Sequence, residues 1–238
     1  MPSGRASKRP VLSEIVTDRI WASERPVWFS GVRLRARTSV IRLDDGGLLV
    51  HSPTPPTDAW AKQVAELGEV RWLVVPNCFH HLGTPAAAAA FFAAKIVAPA
   101  SAGAKNRELR IDIDIRDAAF VDAVPEIVLV PLDGVPFLDE TLLYHRPTKT
   151  LFGADVMLRA DESDHWTWRF AARITGCSKQ WSVPPDVKHK IVDKAAVARS
   201  LRQIQALSIE RIVVAHGKVI EDAATEQLVE AWRRVGVD

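Results

Sequence analysis

Cysteine is scarce, with Cys78 and Cys177 the only two in 238 residues. Two thiols are too few for a disulfide framework, so a reducing, cytoplasmic setting is expected. An excess of either charge is also missing: 31 basic residues face 29 acidic ones, for a formal net charge of +2. That balance gives no bulk electrostatic basis for nucleic-acid binding. No apolar run approaches the roughly 18 residues of a membrane span, and no membrane partner is expected. Met1 to Pro10 is basic but lacks the apolar centre of a secretory signal. It reads as a flexible tail, residues 1–10, ahead of one domain over residues 11–238. There is no repeat at a solenoid period, no phosphate-cradling glycine loop and no serine elbow.

What is present is ordinary globular material, 47% hydrophobic and 25% charged, enough for a sizeable core. Ile20-Trp21-Ala22, the β-branched run Thr38 to Ile41 and Leu48 to Val50 predict strands. Asp44-Asp45-Gly46-Gly47 supplies a hairpin turn between the last two. Arg33, Arg35 and Arg37 alternate along one strand and are expected to share a solvated face. Thr57 should cap a helix that runs to Leu67 and stops at Gly68. Val70 to Val75 is apolar enough for a strand buried on both faces. Thr84 should cap the next helix, with Pro85 at its first position and an end near Phe92.

The second half repeats the alternation. Strands are expected at Ile127 to Val130, Thr141 to His145 and Thr150 to Phe152, the last two joined through Arg146-Pro147-Thr148-Lys149. Residues 156–192 lack clean periodicity and hold Trp166, Trp168, Phe170 and Trp181, which suits either a lid or packing. Asp193 should cap a helix to about Leu207, Arg211 to Ala215 reads as a strand, and a helix follows from about Glu221 to Val235. This order predicts an α/β (α+β) protein with two sheets packed face to face and helices outside.

Three predicted strands end on groups that can bind a metal. Val74-Val75-Pro76-Asn77-Cys78-Phe79 leads to His80 and His81, Gly153-Ala154 to Asp155, and Ala215 to His216. Imidazole nitrogen and carboxylate oxygen are ligands for zinc, iron or manganese when they converge from different loops and leave one position open. Each alone also has the plainer role of bonding a neighbouring loop. Cys78, Asp133 and His51 are additional candidates, as ligands or as groups that bond to ligands. His145, His165 and His189 read as packing or surface histidines.

These residues and spacings resemble the metallo-β-lactamase fold superfamily, from about Val11 to Val235. That resemblance implies a four-layer αββα sandwich. More narrowly, His51-Ser52-Pro53, Pro76-Asn77 with His80-His81, and His145-Arg146-Pro147 resemble a divergent branch known as a domain of unknown function, of the 4336 type. The family carries a His-x-His-x-Asp-His loop. Here Pro76 and Cys78 stand at its first two histidines, His80 at its aspartate and His81 at its last histidine. Asp133 or Gly134 stands at the later histidine, and Ser52 near the usual strand-end aspartate. The resemblance therefore implies a dismantled first metal site and a surviving second one made of His80, His81, Asp155 and His216.

The expected cofactor is one divalent metal, zinc before iron or manganese, or none. No catalytic residue beyond the ligands is assigned. The expected activity is metal-dependent hydrolysis of a small substrate. The alternatives are a binding or scaffold module that kept the fold without the metal, and a metal-independent enzyme using the Cys78 thiol. Exposed strand edges and eight tryptophans admit a homodimer.

Overall fold

The computed structural model describes residues 11–238; the expected tail over residues 1–10 lies outside them. A first sheet holds seven strands in sequence order. They are β1 (Ser13–Val16), β2 (Ile20–Phe29), β3 (Val32–Arg42), β4 (Leu48–His51), β5 (Val70–Val74), β6 (Lys95–Ala98) and β7 (Ile113–Asp114). The first four pair antiparallel. The pairs from β4 to β7 are parallel, with crossovers through α1 (Asp58–Leu67), α2 (Thr84–Ala90) and α3 (Ala100–Lys105). Helix α4 (Ala118–Ala123) leads to a second sheet of order β11-β10-β9-β8. Its strands are β8 (Ile127–Pro131), β9 (Thr141–His145), β10 (Thr150–Phe152) and β11 (Arg211–Val213). The remaining helices are α5 (Trp166–Thr175), α6 (Pro185–Lys188), α7 (Lys194–Gln205) and α8 (Ala224–Arg233).

Strand alternation builds the layers. Leu48, Val50, Leu73 and Val75 pack with Trp60 and Val64 of α1 on one face of the first sheet. Leu49, Trp72 and Val74 point the other way and meet Leu143, Phe152 and Val213 of the second sheet. Leu142, Leu151 and Ile212 face outward from the second sheet onto Val197 and Leu201 of α7 and Leu228 and Trp232 of α8. The result is the helix-sheet-sheet-helix sandwich that the sequence predicts. Among the described residues, no helix is long and apolar enough to cross a membrane.

Local signals place most boundaries. Thr57 accepts from the Trp60 amide and Gly68 ends α1, a cap of about 1 kcal/mol. Gly46 takes a positive φ of 84° in the Asp44–Gly47 turn, where a side chain would be strained. Asp193 caps α7 through the Ala196 amide. Two expectations need correction. Gly83, not Thr84, is the N-cap of α2, which takes Thr84 into its first turn; Gly83 lies against Pro53 and Thr54, where a Cβ would be 2.4 Å from the Pro53 oxygen. The arginine row is not a solvated face. Arg37 is buried and bonds Glu24 and the Val214 and Gly217 carbonyls, while Arg35 bridges Glu24, Asp161 and Asp164.

His145 has no exposed surface, with Nδ1 2.8 Å from Thr148 Oγ1 and Nε2 without a partner. Burial pushes its pKa down from 6.5 to about 4. Because the folded value lies below the unfolded one, stability is complete above pH 6.5 and is lost as pH falls toward 4, at about 1.4 kcal/mol per unit. Urea unfolding at pH 7 and pH 5 should show the wild type losing about 2 kcal/mol more than His145→Gln over that interval. An equal loss would show that His145 does not drive the acid sensitivity.

Candidate metal centre

Four strand ends deliver the site. β5 runs into the loop bearing His80, β10 into Asp155, β11 into His216, and β4 ends at His51 beside Ser52. β10 and β11 are parallel, as are β4 and β5, so each pair ends on the same edge of its sheet. His80, Asp155 and His216 each offer a ligand atom, and these atoms lie within 4.8 Å of one another. His80 Nε2 is 3.1 Å from Asp155 Oδ2, and His216 Nε2 is 3.5 Å from Asp155 Oδ1. The side chains keep 11%, 16% and 11% of their surface exposed, in the order His80, Asp155, His216. The group is thus sheltered but reachable.

A hydrogen-bonded frame holds it. Asn77 Oδ1 accepts from the Phe79 and His80 amides, which bends the loop into an Asx turn. Asn77 Nδ2 donates to Asp155 Oδ2 at 2.9 Å and to Glu140 Oε2 at 3.2 Å. Glu140 is fully buried and accepts from the amides of Ala154 at 2.6 Å and Asp155 at 2.9 Å. Its carboxylate therefore ties the Asp155 loop to the histidine loop. On the other side, His216 Nδ1 donates to the Arg35 carbonyl at 2.7 Å, and the Arg37 amide bonds the Ala215 carbonyl at 2.9 Å. Ser52 Oγ lies 2.6 Å from His80 Nδ1.

The electrostatics follow from this packing. Burial pushes the Asp155 carboxyl up, but the His80 and His216 imidazoles and the Asn77 amide outweigh it and hold Asp155 well below the usual carboxylate range. Burial lowers His80, yet Asp155 more than compensates and its pKa rises. For His216 burial wins, and its pKa falls. Burial, with Asp155 close by, pushes Glu140 up to about 7 despite its hydrogen bonds.

These residues fit a divalent cation. With Nδ1–H given to Arg35, a neutral His216 turns the lone pair of Nε2 toward a carboxylate oxygen, acceptor against acceptor. A shared cation resolves that opposition and uses all three donors, in a nitrogen and oxygen set suited to zinc. The hydrogen bond from His216 Nδ1 to the Arg35 carbonyl and the contact of His80 Nδ1 with Ser52 Oγ are the kind that orient metal-binding histidines.

The other sequence candidates are placed elsewhere. His81 lines the same cavity, but it lies outside the three-residue group, with Nδ1 3.4 Å from Asn106 Nδ2. Burial, with Lys105 and His80, lowers its pKa. Cys78 Sγ is buried and donates to the Phe137 carbonyl at 3.1 Å. Burial raises its pKa, which disfavours the thiolate that nucleophilic attack needs. Asp133 pairs with Arg116 at 3.5 Å on the surface. His51 is buried with Nε2 unpartnered, and burial lowers its pKa to about 3. Sequence reasoning missed Glu140 altogether, and it treated Asn77 and Ser52 only as motif letters.

A cavity of about 250 Å³ includes His80, Asp155 and His216 in its lining, with Val27, Trp28, Phe29, Leu34, Leu138 and Val187 around them. Leu158 and Pro184 add to the wall, so the aperiodic segment 156–192 forms part of it.

Titration calorimetry with zinc should give one equivalent bound, lost in Asp155→Ala and His216→Ala and retained in His81→Ala, Cys78→Ala and Asp133→Ala. Ser52→Ala should weaken binding about tenfold to a hundredfold. Loss of the metal in His81→Ala would return that residue to the ligand set.

The comparisons agree with this architecture. A metallo-β-lactamase from Erythrobacter litoralis superposes with a TM-score of 0.65 at 14% identity, covering 94% of this chain and 96% of that one. One from Pontibacter korlensis gives 0.63 at 11% identity, covering 93% and 98%. The metallo-β-lactamase FIM-1 from Pseudomonas aeruginosa, in its mono-zinc form, gives 0.64 at 11% identity, covering 95% and 96%. At these identities the likeness shows the fold. No curated protein matches the sequence. The family described as domain of unknown function DUF4336 matches residues 17–165, more than half of the chain. The chain belongs to the DUF4336 family and has the metallo-β-lactamase fold.

Proposed function

We propose that this protein is a metal-dependent hydrolase of a small, largely apolar substrate, with a single metal held by His80, Asp155 and His216. The convergence of those three ligand atoms within 4.8 Å at the floor of a cavity is the observation behind this reading. Three protein ligands leave a coordination position for water or substrate, as catalytic zinc sites do. When bound, such a metal lowers the pKa of its water and polarises a carbonyl or phosphoryl oxygen. The chain's own part is to hold and shape. Asn77 and Glu140 fix the loops of His80 and Asp155, and the Arg35 carbonyl fixes the ring of His216. The apolar lining would receive an apolar portion of the substrate, while His81 and Asp186 add polar groups to it.

One observation favours a second reading, a binding module without turnover. Cys78 and Asp133, which stand where the family places ligands of a first metal, are committed to Phe137 and Arg116 instead. Among the described residues, one group of three converges as a candidate metal site.

A panel of esters, lactones, thioesters and phosphodiesters separates the two. With zinc, iron or manganese supplied, the hydrolase reading expects turnover that a chelator removes, that metal restores and that Asp155→Ala reduces to background. One bound equivalent of metal with no turnover across the panel would favour the binding module.

A further inference from the structure

Helix α5 packs with its less expected side inward. Trp168 and Ala172, four residues apart, bury against Leu34, Leu158 and Cys177. The opposite side of a surface helix is normally polar. Here it carries Trp166, Phe170 and Ile174 at successive i, i+4 steps, 68%, 61% and 73% exposed. The patch continues onto the β2–β3 hairpin. Ser30 and Gly31, both at positive φ, make the two-residue turn, and Trp28 and Phe29 beside it are 66% and 50% exposed. His165 joins the two parts: its ring lies edge-on to Trp28 at 5.9 Å and 5.8 Å from Trp166, centroid to centroid. Five large apolar side chains thus form one outward surface, of a kind that marks an interaction site on a soluble protein.

We propose that this surface adsorbs to an anionic lipid bilayer. Charge complementarity selects that occupant. Arg169 and Arg173 are exposed on the same side of α5, the helix contains no acidic residue, and Lys179 is exposed just beyond its end. An apolar face with tryptophan and phenylalanine, flanked by arginines, is the composition of a helix lying in the bilayer interface. The arginine stems cover apolar surface while their guanidinium groups reach lipid phosphates. A second copy of the chain fits less well. A two-fold contact through α5 would bring two sets of these arginines to one interface, with no acid of the helix between them.

The expectation of no membrane partner rests on the missing span, which does not bear on adsorption. Trp28 and Phe29 also line the cavity that holds His80, Asp155 and His216, so the cavity and the adsorbing surface share two side chains. A substrate with an acyl or aryl chain would then enter from the bilayer. That last step rests on the hydrolase reading; adsorption does not.

The test is co-sedimentation of the full chain with vesicles of phosphatidylcholine alone, or of phosphatidylcholine and phosphatidylglycerol in equal parts. Binding is expected to the anionic vesicles, weakened by high salt. It should fall about tenfold for each of Phe170→Glu and Ile174→Glu, the effect of losing one large apolar anchor. Arg169→Gln with Arg173→Gln should reduce binding to the anionic vesicles. All four side chains are exposed, and an unchanged circular dichroism spectrum and melting temperature show that the variants fold. Failure to sediment with either vesicle, or binding indifferent to these substitutions, would overturn the proposal. So would a concentration-dependent dimer that Phe170→Glu abolishes, because a second copy would then cover the face. Adsorption without turnover would count against the hydrolase reading alone, and turnover without adsorption against this proposal alone.

Discussion

The Glu140 carboxylate has no exposed surface and accepts from two consecutive backbone amides and the Asn77 side chain. A buried carboxylate costs several kcal/mol unless such bonds satisfy it. The site depends on that arrangement. The amides belong to the loop that presents Asp155, and Asn77 turns the loop that presents His80. One buried group thereby sets the spacing between ligands that come from different sheets.

The same frame explains the chemistry available. Asp155 sits between two imidazoles, and His216 has already given its other nitrogen to Arg35. His216 Nε2 is poised as an acceptor against the Asp155 carboxylate, and a cation would relieve that opposition. Two other sequence candidates have structural partners instead: Cys78 bonds a backbone carbonyl and Asp133 a surface arginine. His80, Asp155 and His216 lie in a cavity whose lining is mostly apolar.

Much of the fold is legible in the sequence because its signals are local. The Asp44–Gly47 turn, the Thr57 cap with the Gly68 stop, and the strands that end before His80, Asp155 and His216 each declare themselves within a few residues. What escapes is non-local. Glu140 meets Asn77 across 63 positions, and Arg37 meets Val214 across 177, so an arginine that alternates like a surface residue is buried. His81 adjoins a ligand in sequence, but the Asn77 turn sends neighbouring side chains to different places. Helix α5 hides because large apolar residues on its outer side blur the amphipathic period.

Anomalous diffraction at the zinc edge from zinc-loaded crystals bears on the whole account. It should show one peak, about 2.0–2.2 Å from His80 Nε2, an Asp155 oxygen and His216 Nε2. Two peaks, a peak bonded to Cys78 or His81, or no peak at a strand-end cluster would contradict a single centre framed by Glu140 and Asn77.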